Sequence, residues 1–75
     1  MEDYGKVYLR LSELIAAKGI SKTQLSYQTH LSMTQLSRFC KNEASRIDFA
    51  TIARLCCALG CSVSDLIIYE PPEDA

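Results

Sequence analysis

The chain has 75 residues, 48% of them apolar, and a net charge of −1. That length holds one domain with a thin core, and that apolar share excludes a disordered chain. No apolar run approaches the length of a membrane span, and Met1 leads straight into Glu2 and Asp3 with no basic, apolar leader, so a cytoplasmic protein that meets no membrane is expected.

Residues 1–5 are polar and are expected to fray. A first helix is expected over Lys6 to Lys18, with Val7, Leu11, Leu14 and Ile15 on one face and Gly19 as the stop. Two short helices then follow in SKTQLSYQTHLSMTQLSRFCK, residues 21–41. Ser21 with Gln24, and Ser32 with Gln35, have the spacing of a capping box. Apolar pairs flank both boxes, Ile20 with Leu25 and Leu31 with Leu36. That leaves Thr29, His30 and Leu31 for the turn, and a turn this short between two short helices is a helix-turn-helix.

Beyond it, residues 42–46 (NEASR) form a polar loop. Asp48 is the expected N-cap of a fourth helix that ends at Gly60, with Ile52, Leu55, Cys56 and Leu59 as its buried stripe. Ser62 and Asp65 mark a fifth helix carrying Leu66, Ile67, Ile68 and Tyr69 in succession. Four consecutive apolar residues on a helix cannot all face one core, so one or two of them should point outward. Pro71 and Pro72 end the helix, and residues 71–75 are an acidic tail. The expectation is an all-α domain of five helices over residues 6–70.

Charge is unevenly spread. Lys18, Lys22, Arg38, Lys41 and Arg46 share their segment with a single acid, Glu43, while the ends of the chain are acidic. The local field, more than the whole-chain charge, governs contact with phosphate. Cys40, Cys56, Cys57 and Cys61 contain no C-x-x-C pair and the only histidine is His30, which argues against zinc. Disulfides are disfavoured in a cytoplasmic chain, so the thiols are read as packing residues.

In the third helix Leu36 and Phe39 face inward, leaving Met33, Thr34, Ser37, Arg38 and Lys41 on an outer face with two cations and no acid. Such a face, held out by its partner helix, suits the DNA major groove. Residues from about Leu11 to Tyr69 also resemble the lambda-repressor-like, Cro and phage-repressor type helix-turn-helix family. The resemblance rests on KGISKTQLS, THLS, TQLSRFCKN and IDFATIARLCCALGCSVSDLI. Two positions depart from that pattern: His30 stands where the turn usually has Gly, and Ser26 where Ala is usual. The family implies duplex DNA binding by a transcriptional regulator of the repressor type.

On this reading helix three, about residues 33–41, reads bases through Met33, Thr34, Gln35, Ser37 and Arg38. Lys22, Thr23, Ser32, Lys41, Asn42 and Arg46 contact phosphates. A homodimer is expected because one recognition helix buries little surface, with Ile68 or Tyr69 at the contact. No cofactor is called for. The alternative is an antitoxin-like or adaptor module that uses the same helix on protein. An enzyme is disfavoured, since no acid pair or Cys–His couple stands out.

Overall fold

The computed structural model of the protein describes residues 3–73, so Met1, Glu2 and the last two residues of the acidic tail lie outside it. The element order is β1 (Lys6–Leu9), α1 (Leu11–Lys18), α2 (Lys22–Thr29), α3 (Met33–Cys40), α4 (Phe49–Leu59), α5 (Val63–Leu66) and β2 (Ile67–Glu70). Five helices pack around Leu11, Leu25, Leu31, Leu36, Phe39, Leu55, Leu59 and Leu66, which form one buried cluster.

The strands correct the all-α expectation. The first helix starts at Leu11, not at Lys6, and the fifth ends at Leu66. Lys6–Leu9 and Ile67–Glu70 pair instead as an antiparallel ribbon, with Val7 opposite Tyr69 and Leu9 opposite Ile67. The physical reason is composition. Both quartets are rich in β-branched and aromatic residues, whose cross-strand contacts favour a pleated surface. Val7 is therefore not in the helical stripe, and it is 63% exposed. The run after Leu66 resolves its four-in-a-row problem by changing period from 3.6 to 2. Ile67 packs on the core while Tyr69, two residues along the same face, is 59% exposed. Arg10 joins ribbon to helix, and its N–H donates to the Leu66 carbonyl at 2.8 Å.

Helix ends follow their local signals. Asp48 caps α4 by accepting from the Thr51 N–H at 3.2 Å, and hydrogen bonding from Thr51 holds its carboxyl below the usual carboxylate range. Gly19 and Gly60 end α1 and α4 in the left-handed conformation. Three of the cysteines, Cys40, Cys56 and Cys61, pack against the core, and burial pushes the Cys61 thiol up, beside Cys56. Cys57 is exposed and does not share their packing role.

The turn between α2 and α3 is stitched by side chains. Leu31 is buried as its plug. The Thr29 hydroxyl, fully buried, donates to the Leu25 carbonyl at 2.7 Å and accepts from the Leu31 N–H at 3.4 Å. The Ser26 hydroxyl donates to the Leu31 carbonyl. Ser26 in place of alanine thus adds a bond to the turn. His30 sits at φ 61, the left-handed position that glycine usually fills.

That conformation makes a prediction. A β-branched residue at φ > 0 costs about 1–2 kcal/mol, whereas glycine is at ease there. His30→Val should lower the thermal midpoint by roughly 4–16 °C for a domain of this size, and His30→Gly should leave it level or slightly raised. Thermal unfolding of the two variants beside wild type checks the turn.

Candidate nucleic-acid interface

Helix α3 is the element that presents the site, so its start matters first. The Ser32 hydroxyl accepts from the Gln35 N–H at 3.1 Å, and Gln35 Oε1 accepts from the Ser32 N–H at 3.0 Å, completing the capping box. In α2 only half of the expected box forms. Ser21 accepts from the Gln24 N–H at 3.0 Å, but the Gln24 side chain makes no return bond. The difference leaves Gln24 unengaged, while the carbonyl of Gln35 is committed to the helix cap.

Burial then sorts the faces of α3 as its phase requires. Leu36 and Phe39 are buried, Cys40 and Ser37 half-buried, and Met33, Thr34, Gln35, Arg38 and Lys41 exposed. Lys22 and Thr23 are exposed on the first turn of α2. Tyr27, one turn beyond Thr23, is also exposed, and its spacing of four residues places it on that side of α2.

The polar loop after α3 folds back beside the helix. Arg46, Ser45 and Ala44 line a shallow depression together with Gln35, Arg38 and Phe39, so two arginines from different elements meet on one surface. The ion pairs among the described residues, Lys6 with Glu70 and Arg10 with Glu13, lie on the ribbon and at the start of α1. The five cations of the basic segment, Lys18, Lys22, Arg38, Lys41 and Arg46, are in neither pair, and all five are exposed.

Asn42 corrects the sequence reading. The sequence places it among the phosphate contacts, yet its side chain is turned to the ribbon. Its Oδ1 accepts from the Leu9 N–H at 2.7 Å and its Nδ2 donates to the Leu9 carbonyl at 3.0 Å. The amide and the strand backbone match because both are planar groups carrying one donor and one acceptor side by side.

A short turn stitched to a buried plug, a capped outer helix and a neutral-to-cationic outer face are now in place. The model of the Cro/C1-type helix-turn-helix DNA-binding domain matches residues 10–72. The chain belongs to that family. It is a DNA-binding transcriptional regulator. It is 28% identical over 68 residues to the uncharacterized HTH-type transcriptional regulator YozG of Bacillus subtilis (strain 168), an alignment covering 91% of this chain and 81% of that protein. Two solved structures share the fold. A candidate DNA-binding protein from Bacteroides fragilis superposes with a TM-score of 0.76 at 21% identity, over 84% of this chain and all of that one. The transcriptional regulator VanUg gives a TM-score of 0.71 at 18% identity, over 95% of this chain and 93% of that one. No helix among the described residues of this Cro/C1-type domain is long and apolar enough to cross a membrane.

The unequal caps of α2 and α3 give the second prediction. Removing the Ser32 hydroxyl with Ser32→Ala should cost about 1 kcal/mol. Gln35→Glu, which retains the acceptor that meets the Ser32 N–H, should stay within about 0.5 kcal/mol of wild type. Gln24→Ala should likewise be near neutral, because its side chain holds no cap. Urea unfolding of the three variants measures all of this, and a Gln24→Ala loss equal to that of Ser32→Ala would contradict the asymmetry.

Proposed function

We propose that the protein is a repressor-type regulator that binds duplex DNA as a homodimer, with α3 in the major groove. The observation that carries this reading is the outer face of α3, which carries no acid, with Arg46 of the returning loop converging there on Gln35 and Arg38. Met33 suits a thymine methyl, and Thr34 and Ser37 offer hydroxyls to base edges. Arg38 reaches a guanine or a phosphate. With its carbonyl already accepting from the Ser32 N–H, Gln35 keeps both hydrogens of its NH₂ for DNA. It is therefore suited to acceptors, such as guanine O6 and N7 or thymine O4. Lys22, Thr23, Ser32, Lys41 and Arg46 serve phosphates and set register without reading sequence.

Area and the ribbon support the homodimer. A single small module buries little DNA-facing surface, and a two-fold pair sets two recognition helices roughly 34 Å apart on one side of the duplex. The inner face of the ribbon runs past the end of the core, from Leu9 and Ile67, which pack on it, to Val7 and Tyr69, which do not. Ile68 lies opposite Tyr8 on the other face of the ribbon, so Tyr69 with Val7 is the surface that a second copy would cover. The Tyr69 hydroxyl donates to the Tyr4 carbonyl at 2.8 Å, which holds the ring in place. Pro71 and Pro72 follow β2 directly and limit edge-to-edge extension there, which favours a contact through the face.

Two measurements test these roles. On duplexes selected from a random library, Lys22→Ala and Lys41→Ala should weaken binding to all sequences about equally, each lowering the salt slope by about one. Gln35→Glu should keep the fold but lower affinity for the selected site by roughly tenfold or more, since a carboxylate offers no donor. Wild-type preference in Gln35→Glu would remove base reading at this position. For the assembly, sedimentation on a palindromic duplex should show two chains per site for wild type. Tyr69→Asp should show one, with affinity for an isolated half-site unchanged. A wild type that stays monomeric on the palindrome ends the dimer proposal.

A further inference from the structure

Asn42 sits where three elements meet, and its two halves do different work. Its backbone stops the recognition helix. At φ 57 it takes the left-handed position after Lys41, its N–H donates to the Phe39 carbonyl at 3.2 Å, and the next N–H, of Glu43, donates to the Arg38 carbonyl at 2.9 Å. Those two bonds are the pattern that closes a helix with a left-handed residue. Its side chain meanwhile holds Leu9 through both backbone groups, across 33 residues of sequence. Leu9 stands opposite Ile67 in the ribbon, yet its N–H and C=O point to Asn42, away from β2. The amide thus covers the outer edge of β1 at Leu9 as a neighbouring strand would.

Few side chains meet both demands. Asparagine is among the non-glycine residues that best tolerate φ > 0. It also carries donor and acceptor in one planar group, whereas aspartate lacks the donor and glycine lacks the group. Leu9 is itself packed against the core and is followed, after Arg10, by Leu11, the buried residue that opens α1. The link therefore runs from the end of α3, directly after Arg38 and Lys41 in the chain, to a fixed point of the domain.

We infer that Asn42 is a positioning residue for the recognition helix: by clamping the end of α3 to strand β1 it fixes the angle at which α3 is offered to DNA. This rests on the DNA-binding reading of α3 given above. It assigns to Asn42 an effect on discrimination between sequences, not on affinity for phosphate in general.

Asn42→Gly separates the two halves of the residue, because glycine keeps the left-handed backbone and so preserves the helix stop. Two arms are needed. Without DNA, amide hydrogen exchange followed by NMR should show the Leu9 N–H exchanging at least tenfold faster in Asn42→Gly, together with the amides of Lys41, Asn42 and Glu43. Faster exchange at Leu9 with an unchanged last turn of α3 would overturn the clamp as a positioning device. With DNA, the ratio of affinity for the selected site to affinity for a random duplex should fall roughly tenfold, the equivalent of two ordinary hydrogen bonds. Equal loss on both duplexes would make Asn42 a phosphate contact, and an unchanged ratio would make it a helix stop only; each overturns the proposal. If wild type itself preferred no duplex, the DNA-reading role of α3 would fail while the exchange arm still decided whether Asn42 holds the helix.

Discussion

Everything the domain presents to DNA depends on a turn of three residues holding its shape. His30, Leu31 and Ser32 must bring α3 across α2, one residue beyond the Thr29 expected to open the turn, while burying Leu31, and that buries polar backbone as well. The Thr29 hydroxyl bridges the Leu25 carbonyl and the Leu31 N–H, and the Ser26 hydroxyl takes the Leu31 carbonyl. An unpaired polar group at such a place costs a large fraction of a small domain's stability. With these bonds in place, the left-handed strain at His30 is confined to one residue and over-determined by its neighbours. The two places where the sequence departs from the usual family pattern, Ser26 and His30, are thus parts of one local solution.

The far end of α3 is governed differently. Where the near end is set by contacts within ten residues of chain, the far end is tied by Asn42 to a strand that begins the domain. The ribbon closes the domain by pairing its first and last elements, and Leu66 and Arg10 connect that closure to the helical core. Helix α3 is thus tied at both ends by unrelated means, as the proposed positioning role of Asn42 requires. That suits a reader of base edges, where small errors of placement remove hydrogen bonds.

What could be read in the sequence was what is local. Ser21, Ser32, Asp48 and Ser62 announce helix starts because an N-cap bonds to an amide three residues on. Gly19 and Gly60 announce stops for the same reason of short range. The outer face of α3 was equally legible, being a matter of helical phase. The ribbon was not, because Val7 falls at a spacing that also fits the apolar stripe of α1, and only the distant pairing with Tyr69 decides between the periods. Asn42 in a polar loop looks like any solvated asparagine until Leu9 is seen beside it.

The capping box at the start of α3 bears on how such a protein changes over generations. Met33, Thr34 and Arg38 lie outside the core, so if α3 reads bases as proposed, exchanging them would alter the preferred operator with little penalty to folding. Gln35 is different, because the side chain proposed to read the groove also closes the helix onto Ser32. Glutamate is its nearest structural substitute and the wrong charge for a phosphate-lined groove. Drift in operator preference should therefore run through positions 33, 34 and 38 while position 35 stays still, so a lineage of such regulators would diversify its targets around one fixed letter.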